Sequence, residues 1–348
     1  MEHETYMLRC LQLAKLGEGN VAPNPMVGAV LVHQNIIIGE GYHQKYGEAH
    51  AEVNCIDSVS ESNKSLICQS TIYVSLEPCA HFGKTPPCAD LIIKNNIPNV
   101  VIGCRDSYGE VNGKGIYKLQ QAGVNVTIGV LEKKAQELNR RFFTFHTKKR
   151  PYIILKWAQS ADDKIANEDF SALKISSDIT NRLVHTWRSE EASIFVGTTT
   201  ALIDDPSLTT RFWPGNNPVR LVIDRHLKLP LTLQLFNQAS KTIVFNEIKN
   251  QVVNNVQYFK IGSVENMVPE ILNALFQLNI QSVLVEGGTK LLQSFIDMNC
   301  WDEARVITND ALTIGKGIQA PLLSNNLLKN KIKLSTDDIV IYQPQIKK

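Results

Sequence analysis

The chain has 348 residues, 43% hydrophobic and 20% charged, with 36 basic and 34 acidic side chains for a net charge of +2. That length exceeds one ordinary domain and carries enough apolar material for two cores. The balanced charge leaves no electrostatic footprint for a nucleic acid duplex, no stretch approaches the ~18 apolar residues of a membrane helix, and the opening Met1-Glu2-His3-Glu4 lacks the basic and apolar parts of a secretory signal. A cytoplasmic protein without nucleic acid or membrane partners is expected.

Taken in order, the predicted elements alternate between α and β. Thr5 caps a helix over 5–16, and apolar runs at 26–32 and 36–42, joined at Gln34-Asn35, predict a β-hairpin. A helix from about 50 to 59 follows. Then come a strand over 71–76, a helix over 89–94, a strand over 100–103, a helix over 115–121 and a strand over 124–128. These predict a three-layer α/β/α arrangement of a sheet and its helices. An amphipathic helix over 133–146, apolar at Ala135, Leu138, Phe142 and Phe145, closes this half. The basic triplet Lys148-Lys149-Arg150 and Pro151 come next, and proline disfavours helix at the residue before it. The boundary is therefore placed near residue 148, with domains at 1–147 and 148–348.

The second half is predicted as a further α/β domain. Its strands are expected at 152–158, 192–197, 219–224, 241–245, 256–260, 282–285 and 303–308, with a closing strand around Val340-Ile341-Tyr342. Its helices are expected at 178–189, 266–278 and 288–297.

The seven cysteines are scattered and odd in number, which argues against a disulfide framework. Cys10, Cys55, Cys68, Cys104 and Cys300 lie in apolar stretches and read as small buried hydrophobes. Cys79 and Cys88 instead lie in a polar, proline-rich segment. With His50 they make one imidazole and two thiolates, the three protein ligands of a catalytic zinc site that leaves a fourth position for water. Residues two apart on a helix point in roughly opposite directions, so His50 ligates while Glu52 flanks the same metal only where the metal sits at the helix N-terminus. Glu52 then serves as the proton carrier. The order His50-Ala51-Glu52, Pro78-Cys79, Cys88 follows the scheme of the zinc deaminases, in which the metal lowers the pKa of a water toward neutrality. Asn24, on a stiff turn between two prolines, is a candidate partner for a pyrimidine edge. His81, Lys84 and Thr85 are candidate donors to a substrate.

Eight residues, Ala80-His81-Phe82-Gly83-Lys84-Thr85-Pro86-Pro87, separate the two cysteines where the generic deaminase pattern has two. This segment resembles the Pro-Cys-x-His-x-Gly-(Lys/Arg)-Thr-Pro-Pro-Cys pattern of the bifunctional riboflavin-biosynthesis deaminase/reductases. Pro23-Asn24-Pro25-Met26-Val27-Gly28 and Gly47-Glu48-Ala49-His50-Ala51-Glu52 are similar to further motifs of that family. So are Lys156-Trp157-Ala158-Gln159-Ser160, Asp204-Asp205-Pro206-Ser207-Leu208-Thr209-Thr210-Arg211, Pro218-Val219-Arg220 and Val285-Glu286-Gly287-Gly288, and the resemblance spans essentially the whole chain.

The resemblance implies a cytidine-deaminase-like first domain and a dihydrofolate-reductase-like second domain that uses NADPH. It implies deamination of 2,5-diamino-6-ribosylamino-4(3H)-pyrimidinone 5′-phosphate, followed by reduction of the ribosyl group, and assembly into a homo-oligomer. Residue by residue, Arg188, Asp204, Leu208, Arg211 and Glu286 are expected to line the substrate pocket, with the two arginines suited to a phosphate. Ala158, Thr200, Asp204 and the turn from Gly288 are expected at the cofactor. Lys156 is expected to orient or protonate the sugar. Asp163 stands where the family carries glycine, and Lys174 where some relatives carry an aromatic residue. Without the resemblance, Gly287-Gly288 at a strand end before a helix is a weak phosphate-binding signal. Two other readings remain open: a nucleoside or nucleic-acid deaminase with a C-terminal binding module, and a non-enzymatic zinc-stabilised scaffold.

Overall fold

The computed structural model describes residues 2–82, 86–107, 112–262 and 267–345. It divides into two compact units, Met1–Lys149 and Arg150–Lys348. Among the described residues no helix is long and apolar enough to cross a membrane.

The first unit runs α1 (Glu2–Lys15), β1 (Gly28–His33), β2 (Ile36–Tyr42), α2 (Ala51–Asp57), β3 (Thr71–Leu76), α3 (Cys88–Lys94), β4 (Asn99–Cys104), α4 (Lys114–Gln121), β5 (Asn125–Ile128), α5 (Glu132–Leu138) and α6 (Arg140–Lys148). Its sheet has the order β2-β1-β3-β4-β5. β1 is antiparallel to β2 and β3, while β3, β4 and β5 are parallel. Gln34 and Asn35 both take positive φ, as a tight hairpin turn with the strands' own twist requires.

Alternation along the strands explains the three layers. Ala29, Leu31, Ile72 and Val74 face one side and pack with Cys55, Ile92 and Leu119 of α2, α3 and α4. Val30, Val32, Tyr73 and Val101 face the other side and pack with Met7, Cys10 and Leu13 of α1. A β-carbon on Gly41 would lie 2.2 Å from the Cys55 nitrogen, so glycine is what lets α2 lie directly against β2.

The helix expected over 133–146 is in fact two. It breaks at Asn139, whose side-chain oxygen accepts from Met26 N and whose nitrogen donates to Met26 O, both at 2.8 Å. A tertiary bond pair overrides the amphipathic period here. A nine-residue 3₁₀ helix, Glu61–Gln69, was also not anticipated.

The second unit runs β6 (Tyr152–Ser160), β7 (Lys164–Asn167), α7 (Asp178–Glu190), β8 (Ser193–Val196), α8 (Thr198–Asp204), β9 (Val219–Ile223), β10 (Thr242–Asn246), β11 (Gln251–Val253), β12 (Val256–Lys260), α9 (Met267–Gln277), β13 (Ser282–Val285), α10 (Thr289–Asp297), β14 (Glu303–Asn309), β15 (Gly317–Gln319), β16 (Asn326–Leu334) and β17 (Asp337–Pro344). Ten strands form one sheet in the order β11-β12-β10-β9-β8-β13-β6-β14-β17-β16, and β15 pairs separately with β7. The stretch from β12 to β14 is parallel throughout.

Parallel strands covered on both faces read as unbroken apolar runs. Ile153-Ile154-Leu155 and Val283-Leu284-Val285 are each fully buried. α9 and α10 cover one face, contributing Ile271, Leu275, Leu292 and Phe295 to the core. α7 packs on the opposite face through Val184 and Trp187. Strand order reverses around β8, β13 and β6, and crevices at the carboxyl ends of parallel strands at such a switch are where α/β sheets bind ligands.

Candidate active sites

The first site lies where β3 and two helix starts meet. His50 is the N-cap of α2, in an extended conformation, so its ring leaves the helix end while Glu52 already belongs to the first turn. Cys88 is the first residue of α3, and Cys79 follows β3. His50 Nδ1 lies 3.3 Å from Cys88 Sγ and 3.6 Å from Cys79 Sγ. All three ligand atoms fall within 4.8 Å of one another. Tetrahedral zinc with Zn–N and Zn–S bonds of about 2.1 and 2.3 Å needs N···S separations of roughly 3.6 Å. The donor set and its spacing thus fit zinc. The Cys88 N–H also donates to Cys79 Sγ at 3.3 Å. The thiol of Cys88, then His50, holds Cys79 low against the cost of its burial, so this sulfur is a thiolate.

Glu52 is buried at 3% exposure beside these sulfurs. Burial first, then the Cys79 charge, pushes its carboxyl above the usual range, as a group that must both take and release a proton requires.

Three further contacts support this site. His43 Nδ1 lies 3.0 Å from the Ala49 carbonyl, which only accepts, so that nitrogen carries the proton and Nε2 accepts from Asn24 Nδ2 at 3.1 Å. Asn24 is thereby tied to the residue before the histidine ligand. Asn139 clamps Met26 at the end of the same turn. Glu77, two residues before Cys79, accepts from the backbone N–H groups of Asp106, Gly113, Gly115 and Ile116 at 3.0–3.3 Å. The start of α4 is therefore pinned to the Pro78-Cys79 turn. Lys84 and Thr85 lie outside the described residues.

The second site sits at the carboxyl ends of β6, β13 and β8. Glu286, just beyond β13, accepts from Arg188 Nε at 2.9 Å and from Nη2 at 2.7 Å. Lys156 of β6 places Nζ 3.8 Å from the same carboxylate. Burial alone would raise Glu286, but Arg188 and then Lys156 more than reverse it and bring it down to about 2. Lys156 is lowered, by burial first. Arg188 Nη1 reaches the Thr209 carbonyl at 3.3 Å and so links this cluster to the strap of Leu208 and Arg211. Leu208 is buried at φ +50, whereas Arg211 is exposed and its guanidinium lies 5.0 Å from the Phe212 ring centre.

The turn at Gly287-Gly288 packs tightly on the start of α8. A β-carbon on Gly287 would lie 2.8 Å from Val196 Cα, and one on Gly288 would lie 3.2 Å from Thr200 Oγ1. Thr200 and Gly288 thus come together at the N-terminus of α10. Ala158 lies half-buried in β6, and Asp204 ends α8 exposed. Among the described residues no hydrogen bond or ion pair ties Ala158 or Asp204 to the Arg188–Glu286 cluster. Lys174 is exposed and bonds Asp178 at 2.6 Å. Asp163 takes a left-handed backbone, φ +58, a conformation open to glycine without strain.

A zinc-type deaminase joined to an α/β reductase is the class these folds and sites define. Residues 1–104 match the cytidine and deoxycytidylate deaminase zinc-binding region, and residues 151–347 match the RibD C-terminal domain. The chain is 39% identical to the riboflavin biosynthesis protein RibD of Aquifex aeolicus over 97% of each chain. It is 37% identical to that of Escherichia coli over 87% of this chain and 86% of the other. The solved structure of a diaminohydroxyphosphoribosylaminopyrimidine deaminase/5-amino-6-(5-phosphoribosylamino)uracil reductase from Thermotoga maritima is similar at 36% identity, covers 99% of both chains and gives a TM-score of 0.90. The chain belongs to the RibD family, the bifunctional zinc- and NADPH-dependent deaminase/reductases of riboflavin biosynthesis.

Proposed function

We propose that the first unit deaminates 2,5-diamino-6-ribosylamino-4(3H)-pyrimidinone 5′-phosphate and that the second reduces the ribosyl group of the product, 5-amino-6-(5-phosphoribosylamino)uracil. The convergence of His50, Cys79 and Cys88 beside a buried Glu52 carries this reading. Zinc at these ligands supplies an acidified water at neutral pH. Glu52 takes a proton from the attacking water and delivers it to the departing amine nitrogen. Its raised carboxyl pKa suits both transfers.

In the second unit NADPH supplies the hydride. Thr200 and the Gly288 turn, with Ala158 and Asp204, hold the cofactor, and the α10 N-terminus suits its phosphates. Arg211 takes the substrate phosphate. Glu286 already occupies two donors of Arg188, so Arg188 contributes charge and a fixed carboxylate rather than a second fork. Glu286 and Leu208 border the sugar. Lys156, held by Glu286, delivers a proton to the sugar oxygen as the ring opens to the ribityl chain.

The substrates are small phosphorylated pyrimidines, handled in the cytoplasm without nucleic acid or membrane. Family resemblance supports a homo-oligomer, which sedimentation equilibrium measures. For the chemistry, Glu52→Gln is expected to retain zinc, to lose ammonia release and to spare NADPH oxidation on deaminated substrate. Loss of zinc, or ammonia release at the wild-type rate, contradicts the role of Glu52.

A further inference from the structure

The two arginines of the reductase site are held in different ways. Glu286 takes Nε and Nη2 of Arg188, the two donors that make a side-on fork. Among the described residues the Arg211 side chain makes one hydrogen bond, from Nη1 to Ser207 Oγ. Its Nε and Nη2 are therefore open to an anion. The guanidinium lies over the Phe212 ring, with Cζ 5.0 Å from the ring centre. A ring face attracts a cation without taking any of its N–H groups, which radiate in the guanidinium plane. An aromatic face is thus a way to hold an arginine while leaving its fork unspent; a carboxylate is not.

Phe212 is 55% exposed, and a single exposed aromatic is ordinary on a protein surface. This one is anchored. Its ring meets that of His185 edge-on, with centres 4.8 Å apart and planes at 70°. His185 is 3% exposed and sits on α7, the helix that also carries Arg188. The chain just before Arg211 is fixed as well. Asn217 Oδ1 accepts from Thr210 N and Thr210 Oγ1, each at 3.0 Å. Leu208 is buried at φ +50, a backbone that leucine adopts only where its surroundings impose it. A fixed strap and an anchored ring together define where the guanidinium lies.

We propose that Phe212 is a positioning residue of the reductase: its ring face holds the Arg211 guanidinium with the Nε–Nη2 fork open, ready for the substrate phosphate. A solvated arginine loses side-chain freedom when it binds an anion, and a side chain already laid on a ring loses less. The proposal rests on the reading of Arg211 as the phosphate ligand. It implies that Phe212 acts on the substrate only through that arginine, and only where the substrate carries its phosphate.

The test is steady-state reduction by the full chain of two substrates, 5-amino-6-(5-phosphoribosylamino)uracil and the same compound without its phosphate, with folding followed by tryptophan fluorescence. Phe212→Leu keeps apolar bulk against His185 and removes the ring face; Phe212→Tyr keeps the face. A cation–π contact at an exposed site corresponds to about two- to fivefold in affinity. Phe212→Leu is therefore expected to raise the KM of the phosphorylated substrate about fourfold, with kcat, the NADPH KM and the KM of the dephosphorylated compound unchanged. Phe212→Tyr is expected to restore the wild-type KM. In an Arg211→Ala background Phe212→Leu is expected to add nothing, because the ring then holds no guanidinium. A wild-type KM in Phe212→Leu overturns the role. So does an equal rise for both substrates, or a further rise on top of Arg211→Ala, since either shows a merely structural ring. Should the leucine variant fail to fold, methionine, which also keeps bulk without a face, takes its place in each comparison. Arg211→Ala alone separates the underlying reading. If it leaves the KM of the phosphorylated substrate unchanged, the phosphate assignment is what fails, and if it raises that KM while Phe212→Leu does not, only Phe212 is overturned.

Discussion

Replacing Glu286 by glutamine perturbs a buried charge that two cations balance. The carboxylate is 6% exposed, accepts from Arg188 at 2.9 and 2.7 Å, and has Lys156 at 3.8 Å. Its fall from the ordinary 4.5 to about 2 corresponds to about 3 kcal/mol of stability. Because the folded value lies below the unfolded one, that stability is fully present above pH 4.5 and is lost as the pH falls through 4.5 toward 2. Glutamine removes the charge and leaves Arg188 and Lys156 as buried cations without a counter-ion, so the expected loss at neutral pH is about 3–5 kcal/mol.

Urea unfolding measures this directly. All four tryptophans, Trp157, Trp187, Trp213 and Trp301, lie in the second unit, so their fluorescence reports its unfolding in the intact chain. With urea slopes of about 1–3 kcal/mol per molar, the midpoint should drop by about 1–5 M at pH 7. The gap between wild type and variant should then narrow below pH 4.5, because a protonated Glu286 is nearly isosteric with glutamine. A gap that stays constant between neutral pH and pH 3, or a loss below about 1 kcal/mol at neutral pH, refutes the balance derived from the geometry.

Two further outcomes follow from single side chains. Glu77→Gln turns a donor toward backbone N–H groups that now face an oxygen, and each unsatisfied group costs about 1–3 kcal/mol. Zinc should pass to a chelator faster than from wild type while NADPH oxidation is unchanged; equal release rates would show that the anchor does not reach Cys79. Asp163→Gly should leave NADPH affinity unaltered and shift stability by no more than about 1 kcal/mol, since the backbone already lies at φ +58 with its N–H on Ser160 O and its carbonyl on Ala320 N. Asp163→Val should instead cost about 1–2 kcal/mol in thermal unfolding, and a neutral result there would count against a constrained left-handed turn.

What the sequence shows and what it hides divide along a physical line. Zinc chemistry restricts ligands to a few residue types, so His50, Cys79 and Cys88 stand out from the apolar cysteines before any coordinates exist. The continuous apolar runs of β1, β6 and β13 are equally plain, because burial acts on side chains that can be read. Glu77 is different. Its partners are backbone N–H groups up to 39 residues away, and backbone has no letter in a sequence. Asn139 is hidden for the same reason, and its bonds to Met26 across 113 residues split a helix that the local period drew as one. β16 was missed because it is solvent-facing, with a bulge between Leu328 and Asn330 that breaks its alternation.

The reductase cluster belongs with the hidden class, although every member is charged. Arg188 and Glu286 are 98 residues apart and meet only because β13 inserts between β8 and β6. Strand order is set by the packing of two helix layers, not by any local pattern, so spacing alone leaves Arg188 as one more helical arginine. Family resemblance could name such residues without saying what each one does. The geometry supplies that part: it ties the fork of Arg188 to Glu286 and leaves Arg211 exposed beyond a strained leucine.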